Sequence, residues 1–242
     1  MEDVSVAPQR ASFAEDFIDI FYAPSSVFAR RREANPWPTI LVVTGLSVIA
    51  AYIMFTLLAP VVDAMLAKQM AMATQNQSLT PEQLQGARTF GRMMMLVSSV
   101  VGVPILVLVL GLVLWFVGKL LDAEQPLRAA FLVVAFSYMP RIVEQLLTAL
   151  QAFWLDLASK SSLFQVSFSA ARFADPEASQ LTLGLLSRID PFVLWSYVLI
   201  AIGLSVTGRI SRGKAALGAF VLFLLGLVPS LVGGLMAAGR GG

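Results

Sequence analysis

Residues 127–157 read LRAAFLVVAFSYMPRIVEQLLTALQAFWLDL, a largely apolar run interrupted near its middle by Pro140, Arg141 and Glu144. The run is long enough to cross a bilayer as a helix, which needs about 20 apolar residues. A charge at this depth costs about 2.5–3.5 kcal/mol on insertion scales, and proline interrupts helical hydrogen bonding. We therefore predict a membrane span whose polar residues face protein or a wet cavity rather than lipid.

The charged pair continues along the span as a polar stripe at helical spacing. It comprises Pro140, Arg141, Glu144, Gln145 and Thr148, and extends to Gln151. Arg141 and Glu144 are three residues apart, so they share a helix face and can neutralise each other. Two interpretations stay open. The pair either locks the bundle, or it belongs to a functional site that contacts an ion or a lipid headgroup or senses a partner.

Composition places the chain among polytopic membrane proteins. Its 242 residues are 57% hydrophobic and 13% charged, whereas soluble domains have about 45–50% and 25%. The chain contains no His and no Cys, which removes disulfides, thiolate nucleophiles, imidazole bases and the usual zinc and haem ligands. We predict no catalytic, cofactor-binding or metal site and no enzymatic activity. The net charge of +2 gives no reason to expect nucleic acid as a partner.

The apolar segments predict an all-α integral membrane protein, a bundle of five transmembrane helices with an amphipathic N-terminal helix and helical outer loops. A cytoplasmic segment over residues 1–36 precedes a transmembrane domain over residues 37–242. The spans are predicted at about 39–59, 93–117, 127–157, 191–207 and 215–236.

The first outer loop carries helix signals on both sides of a polar tip at Gln75–Ser78. Apolar residues recur at helical spacing after Pro60, and Thr80-Pro81-Glu82-Gln83 combines a capping Thr with Pro at the first helical position. From Thr80 a helix is expected to continue unbroken into the second span. The first two spans therefore project together as a helical hairpin.

The N-terminal segment opens with a capping box, Ser12 to Glu15, followed by apolar residues on one helix face. Such a helix lies in the membrane interface or docks on the bundle, and the sequence leaves both open. The basic triplet Arg30–Arg32 that follows is interpreted as a topology signal and an anionic-lipid contact.

Basic residues of the short segments predict the orientation. Arg30–Arg32, Lys119 with Arg128, and residues 208–214 fall on one side when there are five spans. The positive-inside rule places that side in the cytoplasm. We therefore expect an inner-membrane protein with a cytoplasmic N-terminus and a periplasmic C-terminus.

Two motifs are set aside. Residues 208–214 have the glycine and lysine spacing of a phosphate-binding loop, but Ala215 replaces the required Ser or Thr and no strand precedes the motif. The methionines at 65, 70, 72 and 93–95 are soft ligands for cuprous copper. Without Cys or His, adaptable packing is their expected role.

Small residues recur every four positions in the last span, at Gly226, Ser230 and Gly234, and define a helix-packing face. This packing face admits a helix of the same chain or a second copy of it.

The order of features resembles the Yip domain family of Ypt/Rab-interacting membrane proteins, in its bacterial form. The matching elements are Phe17-x-x-Ile20, Pro24-x-x-x-Phe28, Gly118-Lys119, Phe131 through Ser137-Tyr138-x-Pro140, Asp190-x-Phe192-x-Leu194-Trp195 with Gly203, and Lys214-Ala215. The resemblance implies five spans and a cytoplasmic N-terminus. It also implies a non-enzymatic role, because eukaryotic relatives act as partners in vesicle traffic and some bacterial relatives accompany ABC exporters and their periplasmic adaptors. Arg141 matches no family role, so no site is carried over to it.

Two hypotheses follow. The first is a non-enzymatic accessory or assembly subunit that binds lipid and other membrane proteins, such as an ABC exporter and its periplasmic adaptor, or a second copy of itself. The second is a small transport or lipid-translocating protein that uses the polar stripe. A polar cavity that reaches Arg141 and Glu144 favours transport, and a dry, sealed bundle favours the subunit.

Overall fold

The computed structural model describes residues 12–73, 80–175 and 177–238 and, within them, a wholly helical chain of eleven α-helices and four short 3-10 turns. The α-helices are α1 Asp16–Tyr22, α2 Pro24–Arg31, α3 Pro36–Leu57, α4 Ala59–Ala73, α5 Pro81–Leu120, α6 Leu127–Ser137, α7 Met139–Leu150, α8 Gln180–Leu186, α9 Pro191–Gly208, α10 Arg212–Leu225 and α11 Val228–Ala238. The 3-10 turns are Gln151–Phe153, Leu157–Ser159, Leu163–Val166 and Ala170–Phe173.

Five helical segments are long and apolar enough to cross a membrane. Spans 1 to 5 are Pro36–Leu57, Gln85–Leu120, Leu127–Phe153, Pro191–Gly208 and Arg212–Gly233. The predicted five-span, all-α architecture is therefore confirmed.

Capping residues define where several helices begin. Asp190 Oδ1 accepts hydrogen bonds from the backbone N–H of Phe192 at 2.8 Å and of Val193 at 3.2 Å. Thr80 and Gln83 form a reciprocal capping box at the start of α5. Each cap satisfies backbone donors that have no partner inside the helix. The helix start predicted at Thr80 is confirmed.

The predicted hairpin before span 2 is present as α4 and α5. The 40-residue α5 runs without interruption from Pro81 to Leu120, and Arg92 Nη2 pairs with Asp63 of α4 at 2.7 Å. A Cβ on Gly91 would lie 2.8 Å from a methyl carbon of Leu66, so the two helices approach closely there. The predicted tip, Gln75–Ser78, lies outside the described residues.

Span 3 lies at the centre of the bundle. Its first half, α6, contacts α3, α5 and α9, and its second half, α7, contacts α3 and α9. The helix breaks at Tyr138 because Pro140 has no N–H to donate to the carbonyl of Phe136. The span also ends earlier than the predicted Leu157, because α-helix gives way to a 3-10 turn at Gln151.

One end of the bundle, the basic end, collects the basic short segments. Arg32 donates to the carbonyl oxygens of Thr207 and Glu124, each at 2.8 Å. Lys214 Nζ is 2.8 Å from Asp122 Oδ2, and this hydrogen bond lowers the pKa of Asp122 below its ordinary value. The sequence groups these segments on one side, and the fold brings them together at one end. The opposite end, which carries residues 157–175 and 177–189, is called the loop end.

The N-terminal helices α1 and α2 form a hairpin that docks along the bundle. The ring of Phe17 lies 5.3 Å from that of Phe136 of α6 in a tilted arrangement, and the ring of Phe21 meets that of Trp195 of α9 edge-on, also at 5.3 Å between centroids. Trp195 is thirteen residues before Gly208 at the basic end of span 4, a distance of about 20 Å along a helix. Of the two open alternatives, docking on the bundle is therefore the one found, and the hairpin tip reaches deep along it.

Ion pairs inside this hairpin explain its acidic face. Asp16 is fully buried and accepts hydrogen bonds from Nε of Arg30 and Nε of Arg31, each at 2.5 Å. Arg30 also pairs with Asp19 at 2.5 Å. Burial alone would lower the pKa of Arg30, but its hydrogen bonds to Asp19 and Asp16 outweigh burial and raise that pKa. Two arginines of the basic triplet thus neutralise acids of α1, whereas the sequence assigned them to lipid.

Span 5 is bent rather than one continuous helix over 215–236. The first half, α10, ends at Leu225, because Pro229 has no N–H to donate to the carbonyl of that residue. A Cβ on Gly226 would lie 2.8 Å from Tyr197 Oη, and a Cβ on Gly184 would lie 2.9 Å from Ser230 Oγ. Gly226 and Ser230 therefore face α9 and α8 of the same chain. Gly234 lies in α11, at a position where only the backbone is described.

Replacing Gly226 by Leu is expected to lower the free energy of unfolding in detergent by about 1–3 kcal/mol, the usual cost of overpacking. The added side chain would meet Tyr197 Oη and the backbone carbonyl of Phe223. Gly233→Leu is the matched control, because nothing lies within 4 Å of a Cβ there. Equal melting temperatures for the two variants would contradict close packing at Gly226.

Candidate functional site

A cavity of about 650 Å³ lies between spans 1 to 4 in the loop-end half of the bundle. Its polar wall is built from span 3, from the start of span 4 and from the loop before it, and its apolar wall from spans 1, 2 and 4. The polar lining residues are Ser99, Ser137, Tyr138, Arg141, Glu144, Gln145, Thr148, Ser162, Ser167, Ser169, Ser187, Arg188, Asp190, Ser196 and Tyr197.

Arg141 lies between two carboxylates. Its Nη1 forms an ion pair with Glu144 Oε2 and is 4.0 Å from Asp190 Oδ1. Glu144 is 9% exposed and Asp190 is 1% exposed, so both acids are held in the protein interior. The pairing of Arg141 with Glu144 follows from their spacing, but the sequence reading missed Asp190. Asp190 directly precedes the predicted fourth span, but no local signal reveals that a residue 46 positions after Glu144 approaches Arg141.

The remaining members of the polar stripe divide between the cavity and its surroundings. Gln145 and Thr148 line the cavity, whereas the buried Pro140 supplies the break in the helix. Gln151 does not line it, because its Nε2 donates to the carbonyl of Val166 at 2.7 Å and its Oε1 accepts from Arg172 at 2.7 Å. Gln151 therefore anchors the loop that covers the loop end of the cavity.

Three polar groups on the cavity wall lack protein partners among the described residues. Ser137 is 1% exposed, and its Oγ forms no hydrogen bond with any described residue. The buried Oε1 of Gln145 is likewise without a donor. The guanidinium of Arg188 forms no ion pair or side-chain hydrogen bond within the described ranges. Sequence analysis named Ser137 only as part of a family motif and did not single out Arg188, because neither residue belongs to the polar stripe of span 3.

The cavity is closed toward the basic end. Leu132, Val133 and Phe136 of α6 are buried below it, and Val133 fits against Gly203, where a Cβ would lie 2.5 Å from Cγ1 of the valine. The residues that line the cavity include none from α1, α2 or α10 within the described chain. The arrangement is a blind pocket and not a continuous pore.

A second cavity of about 280 Å³ lies between spans 1, 2 and 3. It shares Ser99, Leu106, Tyr138 and Gln145 with the main cavity. These four residues therefore form a partition with space on both sides. Leu106 is also 40% exposed, and it belongs to span 2, which is long and apolar enough to cross a membrane.

The main cavity combines charged, polar and apolar groups. It offers two carboxylates, two guanidinium groups and several hydroxyls against an apolar wall. Within the described residues, no group of three or more His, Cys, Asp or Glu side chains is placed to hold a metal ion.

The five-span bundle with its buried polar centre defines a multi-pass membrane protein, and comparison with known proteins identifies its family. The Yip1 domain model matches residues 18–233, which include most of α1, all of α2 and all five spans. The chain therefore belongs to the Yip1 domain family, as its motifs predicted.

A curated relative has a similar length. Membrane protein YknW of Bacillus subtilis (strain 168) is 25% identical over 221 residues, covering 90% of this chain and 89% of YknW. No solved structure matches this chain.

Proposed function

We propose that this chain is a non-enzymatic binding protein of the inner membrane, which holds the polar group of an amphiphile in the main cavity. The observation that carries the proposal is a blind cavity whose buried polar atoms lack hydrogen-bond partners among the described residues. At about 650 Å³, its volume lies within the usual range of ligand pockets, roughly 300–1,000 Å³. An apolar wall with few convergent polar groups is also typical of such pockets.

The cavity bears on both hypotheses drawn from the sequence. It reaches Arg141 and Glu144, which favours the transport hypothesis over a dry, sealed bundle. Its closed end at Val133 and Phe136 argues for binding from one side rather than conduction through the bundle. Release or movement of the bound molecule would require those residues to separate.

Filling the junction of the two cavities tests this function. Ser99→Phe should lower the amount of amphiphile retained on the purified protein, as measured by native mass spectrometry after mild detergent extraction. Val100→Phe is the control, because Val100 is 49% exposed on the same helix and lines neither cavity. Equal retention by both variants would show that bound lipid lies on the outer surface instead.

A second candidate function is an accessory subunit for other membrane proteins, such as an ABC exporter and its periplasmic adaptor. The α4–α5 hairpin favours it. The 40 residues of α5 extend about 60 Å, twice the roughly 30 Å of a bilayer core. Phe90, Met93 and Met94 are exposed in the first half of α5. Phe90→Ser with Met94→Ser should abolish co-purification of such an exporter, whereas Val100→Ser should not.

The proposed orientation places the basic end in the cytoplasm and the C-terminus in the periplasm. Because the chain contains no Cys, single cysteines can be introduced without removing others. A membrane-impermeant maleimide added to spheroplasts should label Gln85→Cys in the α4–α5 hairpin and leave Arg212→Cys unlabelled until the cells are lysed. The reverse pattern would invert the proposed topology.

A further inference from the structure

The charged groups in the main cavity fall into two parts of opposite sign. Around Arg141, one guanidinium serves two carboxylates, Glu144 and Asp190. Asp190 Oδ1 additionally accepts two backbone N–H groups of the helix that it caps. This part therefore has more carboxyl groups than guanidinium groups, which leaves a place for a further cation.

The second part is positive. Arg188 lines the same cavity and has no ion pair among the described residues. It is two residues from Asp190, so the two Cα atoms are at most about 7 Å apart. A guanidinium in a partly enclosed site binds phosphate and carboxylate groups well, because its N–H groups match their oxygens.

The partition between the cavities requires a hydrogen-bond donor. The Oε1 of Gln145 is an acceptor without a donor, and Ser137 Oγ is buried without a partner within the described chain. An unsatisfied buried acceptor is unfavourable, so it favours a ligand that brings N–H or O–H groups. A primary ammonium has three such donors, whereas a quaternary ammonium has none.

The second cavity supplies a place for hydrocarbon. It adjoins the main cavity at Leu106, Tyr138 and Gln145, and its lining includes the exposed Ser98 and Gly102 of span 2. A ligand whose polar group occupies the main cavity therefore has an apolar route toward the lipid beside Leu106.

Building on the proposed function, we propose that the ligand is a zwitterionic amphiphile with a phosphate and a primary ammonium, as in phosphatidylethanolamine. The phosphate binds Arg188. The ammonium lies against Glu144 and Asp190 and donates a hydrogen bond to Gln145 Oε1. The acyl chains leave through the second cavity.

Competition between lipids of identical acyl chains tests the headgroup assignment. The full-length protein in detergent is mixed with phosphatidylethanolamine, phosphatidylcholine or phosphatidylglycerol, and bound lipid is measured by native mass spectrometry. Phosphatidylethanolamine should bind about tenfold more tightly than either of the others, the factor expected for one charge-assisted hydrogen bond. Soluble glycerophosphoethanolamine should not displace it.

Two variants and one control assign the contacts. Arg188→Gln and Gln145→Leu should each remove most of the preference for phosphatidylethanolamine. Arg212→Gln replaces an exposed arginine at the basic end and should leave the preference intact. Wild-type preference in both cavity variants would overturn the assignment.

The remaining outcomes separate this inference from the function on which it rests. A preference for phosphatidylglycerol, or equal binding that Ser99→Phe still reduces, overturns the headgroup assignment and leaves amphiphile binding in place. Equal binding that Ser99→Phe does not change overturns both. Displacement by glycerophosphoethanolamine would make the ligand a small soluble molecule, which overturns both as well.

Discussion

Replacing Arg141 by Met is expected to lower the free energy of unfolding by about 3 kcal/mol, the lower end of the cost of leaving a buried charge unpaired. The lower end applies because Arg141 opens onto the cavity. The substitution removes the guanidinium that interacts with two carboxylates, Glu144 and Asp190, and leaves both without it. Glu144→Leu should cost less, because Arg141 retains Asp190 at 4.0 Å. Chemical denaturation in detergent, followed by circular dichroism, measures both changes.

The double variant Arg141→Met/Glu144→Leu should recover part of the loss. Only Asp190 then remains of the three charged groups, and two backbone N–H groups still stabilise it. If the folded double variant still retains amphiphile, Arg141 and Glu144 have a structural role. If it no longer retains amphiphile, the two residues belong to the binding site. If Glu144→Leu proved the more damaging single change, Asp190 would have no share in the pairing.

Replacing Asp16 by Asn is expected to release the N-terminal hairpin. Asp16 is fully buried and is the shared partner of Arg30 and Arg31. An amide of the same shape leaves both guanidinium groups without its negative charge, at a cost of about 3 kcal/mol. Amide hydrogen exchange over residues 16–31 should accelerate by about a hundredfold, and trypsin should cut after Arg30 and Arg31.

Asp19→Asn is the matched control. Asp19 is partly exposed and pairs with Arg30 alone, and exposed ion pairs contribute about 0–1 kcal/mol. Its effect on hydrogen exchange should therefore be small. Equal effects from the two substitutions would mean that burial of Asp16 does not hold the hairpin in place.

Features that depend on local sequence could be predicted. The five spans follow from apolar runs, and the helix starts at Thr80 and Asp190 follow from cap residues placed before proline. The break in span 3 at Tyr138 follows from Pro140, which acts on the residue four positions earlier. Each of these signals lies within a few residues of its effect.

Features that depend on tertiary approach could not be predicted. The partners of Arg30 and Arg31 are on a separate helix, so the basic triplet looked like a surface cluster. Only part of the candidate site could be predicted. Arg141 and Glu144 share one helix face, whereas Asp190 and Arg188 belong to the start of another span and the loop before it. No periodicity in one helix specifies which residues of another will face it.

The contact between Arg32 and span 4 has a consequence for biogenesis. Arg32 binds the carbonyl of Thr207, which lies 175 residues later in the chain. At 5–20 residues per second, translation separates the two partners by roughly 10 to 35 s. During that interval the N-terminal hairpin has no groove to occupy, since spans 3 and 4 supply its walls. The hairpin precedes all five spans in the chain, yet it is among the last segments to reach its final position, and it remains available to chaperones or insertion factors until the fourth span is in place.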